Sequence, residues 1–198
     1  MAGKEIEKLT KLIAKLPSLG TRSSRRIVLQ LLKKRESLFL PLIEALQEVA
    51  ANVKTCEICG NYDTVSPCSI CASEKRENTT LCVVQDVADL WAMERVSFFK
   101  GKYHVLNGLI SPLDDVNPED IGIDKLLDHL NKNDYKEIIL AFKPNVEGEI
   151  TSLYIKKILE NTGIKITRLA SGVPIGADME YIDSLTLSKA LEDRKEIA

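Results

Sequence analysis

Sixteen residues hold most of the thiol chemistry in this chain. The stretch CEICGNYDTVSPCSIC, from Cys56 to Cys71, contains four of its five cysteines as two Cys-x-x-Cys pairs separated by eight residues. Zinc is held structurally by about four soft ligands at the corners of a tetrahedron. One Cys-x-x-Cys turn brings two sulfurs to the same metal, and a second pair completes the shell. Gly60 follows the first pair and Pro67 precedes the second, residues suited to such turns. A redox dithiol needs only one pair, usually at a helix start. Cys56, Cys59, Cys68 and Cys71 are therefore expected to hold one zinc ion in a closed site, which has no open position for catalysis. A loop this short has no core of its own, so the metal would supply its folding energy. Cys82, inside the run LCVV, reads as a small buried apolar residue.

Other chemistry-bearing residues form weaker patterns. His104 falls in an apolar strand-like run and His129 in a helical one, and no Ser-His-Asp or Cys-His arrangement accompanies them. Both are read as structural or solvated. The stretch LPSLGTRSSRR offers a Pro-x-x-Gly turn followed by Arg22, Arg25 and Arg26. Backbone N–H groups at a helix start, assisted by such arginines, can receive a phosphate; a plain helix hairpin with a basic surface explains the same residues. In FKPNVEGE, Glu147 and Glu149 follow a strand and open a helix. That is where α/β folds place their sites, and equally where carboxylates favour a helix dipole. The turn with Gly172, Pro174 and Gly176 lacks the lysine of a phosphate-binding P-loop.

These residues need a scaffold, and the pattern supplies one. Ile6, Leu9, Ile13 and Leu16 recur at helical spacing. After Pro17 and Gly20 a second helix carries Ile27, Val28, Leu31 and Leu32, capped by Thr21 or Ser23. A third starts near Pro41 and carries Leu42, Leu46, Val49 and Val53. Beyond the cysteines the period changes. LCVV, YHVL, KEIILAF and IKITRLA read as strands. Helices are expected in DVADLWAMERV, IGIDKLLDHLNKN and EGEITSLYIKKILENTG, the last stopping at Gly163. Strands alternating with helices imply crossover units and a largely parallel sheet. A last helix is expected in SLTLSKALEDRKEIA, capped near Ser184.

Composition narrows the class. The chain has 198 residues, 44% of them apolar and 28% charged, with a formal net charge of −2. Residues 1–54 hold eleven basic and five acidic side chains, a net +6, and the remainder is net −8. Such asymmetry marks an electrostatic footprint at one end, or merely solvated helix faces. No apolar run approaches the ~20 residues of a membrane span, and MAGKEIEKLT lacks the apolar core of a signal peptide. A cytoplasmic location is expected, with cysteines that are not a disulfide framework.

Taken in order, the motifs resemble a family. The Pro-x-x-Gly turn, the cysteine cluster, LCVVQDVADLWAMER, GKYHVLNGLISPLDDVNPEDIGI, NVEGE and SGVPIGADMEYID resemble the bacterial recombination mediators of the RecR family over nearly the whole chain. The resemblance implies an α/β protein in four parts. These are a helix-hairpin-helix region (1–54), a four-cysteine zinc finger (55–72), a Toprim parallel-sheet domain (79–175) and a C-terminal helical tail (176–198). It implies a non-catalytic mediator of DNA repair that acts with RecO, and in many bacteria RecF, to load RecA at single-strand gaps. It further implies a homotetrameric ring that encircles DNA, with the first region and the tail making the subunit contacts.

Two departures qualify that expectation. The family turn usually reads Leu-Pro-Gly-Ile-Gly, whereas here Leu16, Pro17, Ser18, Leu19 and Gly20 stand, one glycine fewer. Arg22 and Arg26 keep the basic positions, so DNA contact is expected at Arg22, Arg25 and Arg26. Catalytic Toprim domains use a glutamate and an Asp-x-Asp pair to hold Mg²⁺; the matching positions here are Gln85, Lys143 and Asn145. A Mg-dependent nuclease or topoisomerase-like enzyme is the alternative these positions disfavour. Asp86, Glu147 and Glu149 remain nearby and are expected to face a protein partner such as RecO.

Overall fold

The computed structural model describes residues 3–194 and 196. The chain divides into two compact units, residues 1–53 and 54–198.

The first unit is helical. Helix α1 (Lys4–Ile13) turns through residues 14–20 into α2 (Thr21–Lys33), and the two pack against each other. Leu16 falls just beyond α1, in that turn. Ser18 adopts a positive φ of 62° at the position where the resemblance predicts glycine, so the turn keeps a left-handed residue without one. Neither Thr21 nor Ser23 caps α2. Gly20 occupies the N-cap, no side chain bonds the first-turn N–H groups, and Ser24 instead donates its hydroxyl back to the Gly20 carbonyl at 2.9 Å. A π-helical turn (Arg35–Phe39) leads into α3 (Leu40–Asn52), with Pro41 in its first turn as expected. No residue of α3 is buried; Leu42, Leu46, Val49 and Val53 are all exposed.

The second unit starts with a two-stranded antiparallel pair, β1 (Lys54–Thr55) and β2 (Tyr62–Asp63), followed by the short α4 (Ser69–Ala72). Strands β3 (Thr80–Val84), β4 (Lys102–Val105), β5 (Glu137–Ala141) and β6 (Lys165–Arg168) form one parallel sheet in the order β4-β3-β5-β6. Helices α5 (Val87–Val96), α6 (Ile123–Asn131) and α7 (Val146–Ile158) connect them. Both sheet faces are covered, which explains why β3 reads as a continuous apolar run. Leu81 and Val83 join a core with Leu126, Leu130, Ile138 and Ile155, while Cys82 and Val84 point the other way to Leu90, Tyr103 and Val105.

Helix α7 ends at Ile158, before the expected Gly163. The intervening residues turn, and Gly163 takes φ of 72° past them. The last helix, α8 (Ser184–Glu192), is capped by Asp183, which accepts from the Thr186 N–H at 2.9 Å. Ser184 is thus its first turn rather than its cap, and the expected extension through residues 195, 197 and 198 lies outside the described residues.

Candidate metal centre and nucleic-acid interface

The four cysteines meet. Their Sγ atoms all lie within 4.8 Å of one another, and among the described residues this is the one group of three or more candidate ligands. A tetrahedral site with metal–sulfur bonds of ~2.3 Å has sulfur–sulfur edges of ~3.8 Å. The Cys56–Cys71 and Cys59–Cys68 edges measure 3.9 and 3.6 Å. The donor set and spacing fit one structural zinc ion, whose charge would stabilise four thiolates crowded together. The protons of the free thiols cannot be shared evenly. Hydrogen bonding from Cys71 draws Cys59 down to about 6, while the same bond and burial push Cys71 up. Backbone N–H groups already face two sulfurs: Cys68 N–H lies 3.3 Å from the Cys56 Sγ, and Asn61 N–H lies 3.5 Å from the Cys59 Sγ.

Each knuckle is anchored separately. The first is tied to β4, because the Val105 N–H donates to the Cys59 carbonyl at 2.8 Å. Gly60, at φ of 80°, lies so close to Val105 that an added Cβ would stand 3.2 Å from its carbonyl oxygen. Trp91 of α5 donates its indole N–H to Asn61 at 3.0 Å. The second knuckle is held by Lys102, which composition and spacing left unnoticed. Its ammonium donates to the carbonyls of Ile70, Cys71 and Ser73 at 3.3, 2.9 and 3.1 Å, and the residue is only 9% exposed. A lysine entering a strand buried on both faces was the available signal. Asp63 accepts from both the backbone and hydroxyl of Ser69, which holds its carboxyl below the usual carboxylate range.

The two histidines find each other. His104 of β4 and His129 of α6 approach through their Nδ1 atoms at 3.1 Å, and His129 Nε2 lies 3.0 Å from the Tyr135 hydroxyl. One Nδ1 must donate and the other accept. Burial lowers His104 to about 3 and His129 to about 4, so both are neutral at pH 7.

At the carboxyl ends of β3 and β5 the sheet order reverses, the usual position of an α/β site. The side chains there are engaged locally. Asp86 caps α5, accepting from the Ala88 N–H at 2.8 Å. Asn145 caps α7 by accepting from the Gly148 N–H at 2.9 Å. Glu149 pairs with Arg168 at 3.0 Å, both half exposed, an arrangement of little stabilising value. Lys143 is exposed, and Gln85 buries an Oε1 that has no hydrogen-bond partner among the described residues. Asp86, Glu147 and Glu149 do not gather into a cluster of metal ligands among the described residues.

In the helical unit, Arg22, Arg25 and Arg26 crowd the first turns of α2. All three are exposed, and none is paired with a carboxylate among the described residues. The first turn of α2 contains no acidic residue.

A four-cysteine zinc finger joined to a Toprim-type parallel sheet is the class these features define. Family models agree part by part: the RecR four-cysteine zinc finger domain matches residues 53–73, the Toprim domain 79–170, and the RecR C-terminal region 172–195. The chain is 50% identical to Recombination protein RecR of Rhodospirillum rubrum over all of both chains. It is 48% identical to Recombination protein RecR of Paramagnetospirillum magneticum, covering 98% of this chain and 99% of that one. The protein of that name from Sinorhizobium fredii is also 48% identical, over 100% and 98% respectively. The chain belongs to the RecR family of recombination proteins.

Proposed function

We propose that this chain is a non-catalytic recombination mediator that binds DNA through Arg22, Arg25 and Arg26. The observation that carries the reading is the start of α2. Three arginines, with no carboxylate partner among the described residues, stand at the positive end of a helix that has no side-chain cap and no first-turn acid. Cations there oppose the helix dipole, and the first N–H groups need acceptors. A phosphate answers both. The division into 1–54, 55–72, 79–175 and 176–198 assigns DNA to the first part and protein partners to the acidic third.

In this reading the protein acts with RecO, and with RecF where present, to load RecA at gaps coated by single-strand-binding protein in the cytoplasm. Asp86, Glu147 and Glu149 lie on the side offered to RecO. The exposed apolar side chains of α3, and Ile175, Tyr181 and Leu185 near the C-terminus, are unsuited to permanent solvent contact. They support assembly into a homotetrameric ring around DNA. The absence of carboxylates at Gln85, Lys143 and Asn145 supports a platform rather than a nuclease.

The test is the salt dependence of binding to gapped and duplex DNA by Arg22→Gln/Arg26→Gln. Each lost phosphate contact lowers the log–log salt slope by ~0.9 on duplex and ~0.7 on single strands. A drop of about 1.4 on single strands and about 1.8 on duplex is expected. An unchanged affinity and slope would remove these residues from the interface.

A further inference from the structure

Helix α1 carries a second basic face that the arginine turn does not include. Lys4, Lys8, Lys11 and Lys15 follow one another at i, i+4, i+7 and i+11. At 3.6 residues per turn this places them within an arc of about 60°, over an axial length of about 16 Å. Lys15 lies past the helix end but stays on the same side, because its N–H bonds the Leu12 carbonyl and continues the turn. All four lysines are exposed, and none is within salt-bridge distance of a carboxylate among the described residues. Glu5 and Glu7 flank the stripe, and Glu7 borders the same groove as the four lysines.

The charges of α1 work both ways. Glu5 and Glu7 stand at i,i+3 and i,i+4 to Lys8 and Lys11 and favour the helix, while the lysines repel one another and Lys4 opposes the dipole at the first residue. Packing does not explain the stripe. The inner side of α1 carries half-buried Ile6, Leu9 and Ile13 with buried Thr10, and α1 packs on α2. The lysines project from the opposite side. On α2 the buried residues are Ser24, Val28 and Leu31, and Arg22 and Arg26 project away from them. The two basic faces therefore point to opposite sides of the hairpin.

We propose that the α1 lysine face is a second contact surface for a nucleic-acid backbone, separate from the arginine turn. A strand carries one phosphate per ~3.4 Å of rise, so about five phosphates lie along the length of the stripe. Flexible ammoniums without bidentate geometry suit a backbone read as charge, with no preference for sequence. This surface rests on the DNA-binding reading above, but a hairpin with two opposed faces engages two segments of nucleic acid rather than one.

The experiment compares the full chain with two variants, Lys4→Gln/Lys8→Gln/Lys11→Gln/Lys15→Gln and Arg22→Gln/Arg25→Gln/Arg26→Gln. Glutamine keeps nearly the helix propensity of lysine. Each is titrated with duplex DNA across a salt series, and circular dichroism and molar mass are recorded alongside. The lysine variant is expected to keep its helix content and mass while its salt slope falls by about 3.6, ~0.9 for each of four lysines. If only the arginine variant loses slope, the arginine turn binds DNA and the lysine face does not, which overturns this proposal alone. If neither loses slope, both readings fall. A lysine variant of altered molar mass makes the stripe a subunit contact and likewise overturns the proposal.

Discussion

Replacing Lys102 with methionine tests how the second cysteine knuckle is held. The substitution keeps most of the aliphatic stem and removes the ammonium. Three carbonyls, those of Ile70, Cys71 and Ser73, lose a donor at 2.9–3.3 Å. Hydrogen bonds from a charged group are worth ~1.5–3 kcal/mol each, which sets an upper bound of roughly 5–9 kcal/mol for three. The ammonium gives up several kcal/mol of hydration to reach this position, and methionine is relieved of that cost. Lys102 and Cys71 also border a cavity of about 880 Å³ from which water can reach freed carbonyls. The net loss should be about 2–4 kcal/mol. The positive charge additionally favours a thiolate cluster of opposite sign, and groups that support metal ligands from outside typically set ~10–100-fold in affinity. Chelator competition should therefore show zinc held roughly 10- to 100-fold less tightly by Lys102→Met, and urea unfolding should show a lower midpoint. Lys102→Arg keeps the charge without the compact three-way donor, so an intermediate affinity separates charge from geometry. Zinc affinity and midpoint both equal to the parent would refute the capping role.

Two further perturbations follow from the second unit. His104 and His129 are depressed to about 3 and 4 from an ordinary 6.5, so the unfolded chain binds more protons below pH 6.5. Stability from the neutral pair is complete above that pH and declines as pH falls toward 4; His129→Gln removes one titrating site. Its urea stability should lose ~1.4 kcal/mol less per pH unit than the parent between about pH 6 and 4.5, and parallel slopes would contradict the buried pair. Gly148→Ala would place a Cβ 2.1 Å from the Lys143 carbonyl oxygen and 3.1 Å from the capping Asn145 oxygen. Overpacking of this kind costs ~1–3 kcal/mol, and a melting temperature lower by about 5 °C is expected; an unchanged value would mean the carbonyl does not close over the helix start.

What the sequence made legible depended on how local its cause was. The cysteine spacing encodes a metal shell because a Cys-x-x-Cys turn suffices to bring each pair together. Strand β5 was plain because both of its faces are covered, leaving one apolar run. Helix starts were read less well. At α2 and α8 the hydroxyl residues inside the first turn look like caps, but Gly20 and Asp183 hold the cap positions. Lys102 and the His104–His129 pair escaped because their partners lie 25 to 32 residues away in the chain. The apolar spacing of α3 identifies a surface that wants cover, yet within this chain those side chains stay exposed.

At the crevice where the sheet order reverses, the polar side chains are held by local hydrogen bonds. A Toprim metal site needs free carboxylates that converge. Here Asn145 turns its oxygen back to the α7 backbone, and Asp86 does the same for α5. Glu149 is drawn to Arg168 on β6. Gly148 lets the Lys143 carbonyl lie against the helix start, which fixes that turn by its backbone rather than by a metal. A group committed as a cap has its oxygen satisfied and its direction set, so recruiting it as a ligand would expose a helix N–H and cost about 1 kcal/mol. The local hydrogen bonds thus fix the direction of these side chains at this edge. Fixed side chains of this kind are consistent with the proposed platform for protein partners.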